Sequence, residues 1–523
     1  MTSEYEHLES AFATIAPASR LSAARRTADF AALERDPSVD VLVIGGGVTG
    51  TGVALDAASR GLSVALVEAH DLAFGTSRWS SKLVHGGLRY LASGAVGIAH
   101  ESAVERDALI RVIAPHLTRP LAQVVPLLDD VSRVDAALTR VGFLAGDVLR
   151  RIAGTPSTEL ARSRRISSSD VIRMAPTVRR AGLRGGLLNW DGQLTDDARL
   201  TVGIARTAAA HGAKILTYAT ASQVTGGSAT VTDELTGDSH TLRAKAVINA
   251  TGVWAGTVDP AVTLRPSRGT HLVFRQENFG RLTAGLTVPV PGAFGRYVFA
   301  LPQSDGRVYV GLTDEEADGS LPDVPRASDA EIDFLLSTVN LALNVPLTRA
   351  DIAGTFAGLR PLLDSSAGQS ADISRKHAVL TRADGLVTVV GGKLTTYRRM
   401  AEDAVDAAIT ASGLLTRESV TRTLPLVGAA PRARLRTVDA PERLVRTYGT
   451  EAAAIVALGR LRPRLAERVT DGSEITGAEL LFGALIEGAL TEDDLLERRT
   501  RLALIPEMGE AAREAAREAL AAQ

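Results

Sequence analysis

Asp40-Val41-Leu42-Val43-Ile44-Gly45-Gly46-Gly47-Val48-Thr49-Gly50 is the stretch on which the fold turns. Residues 40–44 form a short β-branched run that ends in glycines, and Val53 to Ser59 reads as helix. Ser63 to Glu68 (SVALVE) reads as a second buried strand. Strand, glycine turn, helix and strand make a βαβ unit, and hence a parallel sheet. Gly45, Gly47 and Gly50 fit G-x-G-x-x-G. The first permits a tight turn, the second lets a pyrophosphate approach the backbone, and the third lets helix and strand pack closely. The helix that follows offers unpaired amides and its positive dipole end to phosphates. Glu68, closing the next strand, is placed to accept hydrogen bonds from ribose hydroxyls. Together these residues predict a dinucleotide site.

Two more buried strands end in glycine far downstream. Ala246 to Asn249 precedes Ala250-Thr251-Gly252, and Leu386 to Val390 precedes Gly391-Gly392. A helix is expected over Lys393 to Ile409. Alternating segments around Leu272 to Phe274, Tyr297 to Leu301 and Val308 to Leu312 predict an antiparallel sheet set between parts of the nucleotide fold. From residue 410 the chain turns rich in Ala, Leu, Arg and Glu, with helical periodicity over Arg443 to Leu458 and Gly477 to Leu490. The fold class expected is α/β: a Rossmann-like domain, an interleaved antiparallel-sheet substrate domain and a helical C-terminal cap. In residue numbers this gives an N-terminal extension over 1–37 and a nucleotide-binding region over 38–409. The substrate part occupies roughly 105–190 and 262–360, and the helical domain 410–523.

Composition narrows the partners. At 523 residues the chain is too long for one compact core. A net charge of −2 gives no basic footprint for nucleic acid. There is no cysteine, so electron transfer needs a bound cofactor and disulfides and thiolate metal sites are excluded. The N-terminal residues lack the apolar core of a secretory signal, and no run of about 18 apolar residues occurs. A cytoplasmic location is expected, with peripheral attachment to the inner face of the cell membrane left open. Val141 to Ala153 has an apolar helical face flanked by Arg140, Arg150 and Arg151, a pattern shared by interfacial and by buried amphipathic helices. Asp191, Asp196 and Asp197 lack the spacing of a hard-metal site. They read as helix-capping residues near Asp197, and no metal is expected.

The glycine motif alone does not separate FAD from NAD. The distinguishing features are SSKLVHGGLRYL from Ser80, INATGVWAG from Ile248, and GGKLTTYRRMAEDAVD from Gly391. With WDGQLTDDARL, SRGTHLVF, GLRPLL, YGTEAAAIVAL and LERRTRLAL, they resemble the FAD-dependent glycerol-3-phosphate dehydrogenases of the D-amino-acid-oxidase-like flavoproteins, from about Asp40 to Pro506. The resemblance implies non-covalent FAD, oxidation of sn-glycerol 3-phosphate at C2 and electron delivery to a membrane quinone. It leaves a homodimer open.

By that resemblance His271 is the expected base, since imidazole titrates near working pH, and Arg360 stabilises the alkoxide over the flavin face. Arg89, Tyr90, Thr270, Lys393 and Arg375 are expected to bind substrate, the cations gripping its phosphate. Lys376-His377 departs from the pair expected after Arg375. Gly45, Gly47, Gly50, Glu68, Ser81, Lys82, Gly86, Gly87, Gly252, Gly392, Leu394 and Thr395 are expected along the cofactor. The rival readings are a glycerol-3-phosphate oxidase that releases peroxide, a related amine-oxidising flavoenzyme, and a non-catalytic flavin-binding protein.

Overall fold

The structure is a computed structural model, and it describes residues 10–87, 95–293, 295–317, 320–363 and 377–523. Ser38–Ile44 lies between Val64–Glu68 and Ser239–Asn249, parallel to both. Lys214–Thr217 extends the sheet in parallel beyond Val64–Glu68, and Val387–Val390 does so beyond Ser239–Asn249. Val41, Leu42 and Val43 are each 0% exposed, because helices cover the face of Val41 and Val43, and the helix Ala23–Arg35 with the strands Ala219–Ser222 and Ser228–Asp233 covers that of Leu42. The helix Val48–Ser59 begins directly at the glycine turn, earlier than its apolar periodicity suggested. Gly45 turns at φ +110°, a left-handed conformation favouring glycine. A Cβ on Gly50 would lie 1.9 Å from the Gly45 carbonyl oxygen, so helix and turn meet only through hydrogen.

The second sheet runs Glu315–Glu316, Ser267–Arg275, Arg307–Gly311, Tyr297–Pro302, Gly285–Pro289, Thr118–Pro126, Gly186–Leu194 and Leu83–Val84. Gly354–Arg360 pairs with the other edge of Ser267–Arg275, setting His271 opposite Phe356. This mostly antiparallel sheet has its own core, including Val124, Leu188, Leu272, Phe274 and Leu286. The two-sheet architecture therefore follows the expected class.

Beyond the helix Tyr397–Ser412 the described chain is helical. The expected Arg443–Leu458 helix is two helices, Glu442–Tyr448 and Ala452–Leu461, parted where Gly449 takes φ +61°. The Gly477 helix ends at Leu485. Residues before the first strand are also built in. Ala23–Arg35 is a helix capped by Ser22, and Phe12 and Ile15 lie in the C-terminal apolar core with Leu480 and Phe482. Hydrophobic pairing with a distant element, invisible in a short mixed segment, is what organises that end of the chain.

Candidate active site

The glycine turn and the end of the Val64–Glu68 strand meet. The Gly46 N–H donates to Glu68 Oε2 at 2.5 Å, and the His70 N–H donates to Oε1 at 2.9 Å. Glu68 thus stands against the turn. No side chain at Gly47 closes the helix N-terminus, while Ser77 Oγ accepts from the Val48 N–H at 2.8 Å. Gly252, at φ +60°, follows the neighbouring strand end, where the Asn249 side chain holds Thr251. Gly391 and Gly392 turn at φ +79° and +72° before a single 3₁₀ turn over Leu394–Thr396. Thr395 Oγ1 is buried with no hydrogen-bond partner among the described residues. Open backbone at two strand ends, an acidic residue at a third and an unanswered hydroxyl fit a long polar cofactor across the sheet edge.

His271 sits in the second sheet, on the strand Ser267–Arg275. It is 1% exposed, and its Nε2 lies 2.8 Å from Ser81 Oγ. Its ring stacks on Phe356 at 4.6 Å and 13°. Gly311 leaves room for it, since a Cβ there would come within 2.3 Å of Cδ2. Burial, then the charges of Lys82 and Arg360, hold its pKa well below the usual 6.5, so the imidazole does not titrate near working pH as its type suggested but is neutral at pH 7. Nδ1 has no partner among the described residues.

Thr270 and Arg360 belong to the same constellation. Glu331 accepts from Thr270 Oγ1 at 2.8 Å and from Thr313 Oγ1 at 2.7 Å. Arg360 donates to Ser267 Oγ and Asp314 Oδ1, each at 3.0 Å, and to the Thr313 carbonyl at 3.1 Å. Protein acceptors thus orient the guanidinium expected over the flavin. Lys82 is engaged within the protein as well. Its ammonium lies 2.8 Å from Asp197 Oδ1 and donates to the Arg78 carbonyl at 3.0 Å. Lys393 Nζ donates to Ser102 Oγ at 2.6 Å, and Arg398 clasps Glu105 beside it. Arg89, Tyr90 and Arg375 lie outside the described residues.

The acidic trio divides. Asp196 caps the helix from Asp197, accepting from the Arg199 N–H at 2.9 Å, as expected. Asp197 instead pairs with Lys82, and Asp191 accepts from the Gly86 N–H and from Arg106, bracing the turn at Gly86 and Gly87. The supporting roles of Asp191, Asp197, Glu331, Gly311 and Phe356 were missed in the sequence. Only Asp191 and Asp197 carried a signal, their clustering before a helix.

Residues 40–431 match the family described as FAD dependent oxidoreductase, and residues 419–523 match the C-terminal domain of alpha-glycerophosphate oxidase. The chain is 57% identical over 493 residues to glycerol-3-phosphate dehydrogenase 1 of Mycobacterium tuberculosis, covering 93% of this chain and 95% of that one. It is 36% identical over 533 residues to a mitochondrial glycerol-3-phosphate dehydrogenase of Arabidopsis thaliana, covering 92% and 82%. Among solved structures, the glycerol-3-phosphate dehydrogenase of Bacillus halodurans complexed with FAD matches with TM-score 0.73 at 27% identity, covering 96% of this chain and 94% of that one. The L-alpha-glycerophosphate oxidase of Mycoplasma pneumoniae shares the fold, with TM-score 0.55 at 18% identity over 74% of this chain and 99% of that one. With FAD as its cofactor, the chain belongs to the FAD-dependent glycerol-3-phosphate dehydrogenases of the FAD dependent oxidoreductase family.

Proposed function

We propose that the protein oxidises sn-glycerol 3-phosphate to dihydroxyacetone phosphate and passes the electrons to a membrane quinone. The observation that carries this reading is the buried, neutral His271 held between Ser81 and Phe356 with Arg360 nearby. FAD, held by the Gly45–Gly50 turn and Glu68, would supply the two-electron acceptor for oxidation at C2. The protein's own residues do the rest. His271 takes the C2 hydroxyl proton on its imidazole, which Ser81 and Phe356 hold in place. Arg360, fixed by Ser267 and Asp314, stabilises negative charge that develops on the C2 oxygen. Lys393, with Arg89 and Arg375, provides the cations for the phosphate. Glu68 and the Gly45–Gly50 turn hold the nucleotide end. Anaerobic titration of the flavin-loaded protein with glycerol 3-phosphate tests this. Bleaching of the flavin band is expected, and a band that survives saturating substrate refutes it.

The quinone reading is supported by the helix Arg133–Ile152. Among the described residues, no helix is long and apolar enough to cross a membrane. Yet Val134, Leu138, Val141, Leu144, Val148 and Ile152 are all exposed, with Val134 at 67%. At about 100° per residue they fall on one face spanning about a third of the circumference, and Arg133, Arg140 and Arg151 line a single flank. The helix is therefore not the buried amphipathic element that its periodicity also allowed. An apolar stripe edged by cations suits an anionic lipid surface, where a quinone is dissolved. The second reading, dioxygen as acceptor, draws on the alpha-glycerophosphate oxidase match of residues 419–523. Peroxide released in stoichiometric amount with substrate would establish it, and reduction of a quinone analogue without peroxide would dismiss it.

A further inference from the structure

We infer that Arg501, in the C-terminal helical region, is a positioning residue for His271, so that this region forms part of the catalytic centre as well as covering the fold. The inference rests on the assignment of His271 as base. Two physical connections run from Arg501 to that imidazole. The first is a hydrogen-bonded strap. Arg501 NH2 donates to the Arg78 carbonyl at 2.5 Å, and Lys82 Nζ donates to the same oxygen at 3.0 Å. One carbonyl thus joins the C-terminal region to the segment 78–82, whose Ser81 hydroxyl holds His271.

The second connection is a stack. The guanidinium of Arg501 lies 5.1 Å from the Trp79 ring centre, and that of Arg78 lies 4.3 Å from it. Trp79 stacks on Phe356 at 5.8 Å and 24°, and Phe356 stacks on His271. Close packing transmits displacement, so a shift of Trp79 moves the wall on which the imidazole rests.

Neighbouring contacts clamp the same strap from the C-terminal side. Arg78 is 0% exposed and pairs with Glu497. Asp71, seven residues before the strap, accepts from Arg498 and from both terminal nitrogens of Arg499. Leu504 and Ile505 share an apolar cluster with Phe356 and Tyr309. Lys82 and Arg501, the two donors to the shared carbonyl, both sit at left-handed φ, +59° and +61°. Non-glycine residues stay there when surrounding contacts over-determine them, a feature of functional sites.

The charged surroundings of His271 set the direction of the effect. Lys82 faces it from the strap and Arg360 from the Gly354–Arg360 strand. Asp197 pairs with Lys82 and Asp196 with Arg501, while Asp314 stands behind Arg360 and Glu331 behind Thr270. Tyr309 meets Phe356 edge-on. Loosening the strap lets water reach the ring and moves Lys82, and both changes ease protonation of His271.

The test uses FAD-loaded enzyme with isotopically labelled histidines, the His271 resonance being assigned by its loss in His271→Asn. In Arg501→Ala the titration of His271 is expected to rise by about one pH unit. Arg501→Lys, which keeps the charge but not the fork, should give a smaller rise. Single-turnover flavin reduction by glycerol 3-phosphate should fall about tenfold in Arg501→Ala, with substrate affinity little changed. The control is Arg432→Ala, which removes another contact of the C-terminal region, to Glu159 and the Thr118 carbonyl, without touching the strap. An unshifted His271 in the Arg501 variants overturns the inference, and so does an equal shift in Arg432→Ala. If Arg501→Ala fails to fold, Arg501→Lys decides by the same reading. A wild-type flavin that glycerol 3-phosphate does not bleach would retire the proposed function, while the histidine titration still decides the role of Arg501.

Discussion

His271 is neutral at working pH because it is buried and because its charged neighbours, Lys82 and Arg360, are both cationic. A base must be unprotonated to accept, so the rate of flavin reduction should hold as pH falls through 6.5 and decline only below it. A stopped-flow pH profile with its acid limb at or above 6.5 would contradict this. Replacing the imidazole by an amide, His271→Asn, should slow reduction by roughly 10²–10⁴-fold with substrate binding nearly unchanged. At the glycine turn, Gly50→Ala places a methyl 1.9 Å from a carbonyl oxygen, so the purified variant is expected to lose bound FAD. Retention of the flavin absorbance would count against the turn as its seat. At this scale the sequence was informative where a residue acts through its own backbone, as Gly45 and Gly50 do. It named Ser81 and His271 separately and was silent on their contact, which spans a separation of 190 residues.

The helix Arg133–Ile152 shows how an element's pattern is read more easily than its neighbour. A period of 3.6 says which side chains share a face, and nothing in it says what lies against that face. In the fold, the apolar stripe faces outward. Val141→Asp with Val148→Asp puts two carboxylates on the stripe, and the double variant should no longer sediment with vesicles rich in anionic lipid, although its flavin is still reduced by substrate. Unimpaired sedimentation would remove this helix from the docking role. Salt should also weaken the wild-type interaction, since the flanking arginines contribute through screened attraction. The strands of the parallel sheet were legible for the opposite reason. Buried on both faces, they must be apolar throughout, and Val41, Leu42 and Val43 declare that without help from any partner.

Across the molecule, buried ion pairs join the C-terminal region to the nucleotide fold. Arg199 meets Glu487 through two bonds, of 2.6 and 2.9 Å, with both side chains nearly inaccessible. Burial pushes the Glu487 carboxyl up, but Arg199, with Arg206 and Arg499, more than offsets this and holds it below its usual range. Asp71 is likewise held low by Arg499 and Arg498 against the effect of burial. A carboxyl whose pKa is depressed by folding stabilises the fold above its unfolded value, about 4, and that contribution is lost as pH falls through the folded value. Acid should therefore loosen the joint between the two regions. Glu487→Leu leaves Arg199 buried without its partner and should cost about 3–5 kcal/mol, read as a lower denaturant midpoint by circular dichroism. An unchanged midpoint would show that the pair is not holding the regions together.

The linear order of residues by itself determined the nucleotide turn, the alternation that makes the second sheet and the helical character of the C-terminal region. All three depend on neighbours a few positions apart, and local sterics and periodicity act over that distance. Only the tertiary structure decided that Asp197 answers Lys82, that no described residue covers the Arg133–Ile152 stripe, and that Arg501 reaches the segment bearing Ser81. Ion pairs and stacked rings form between whichever groups the packed chain brings within a few ångströms, and chain folding, not sequence spacing, sets that proximity.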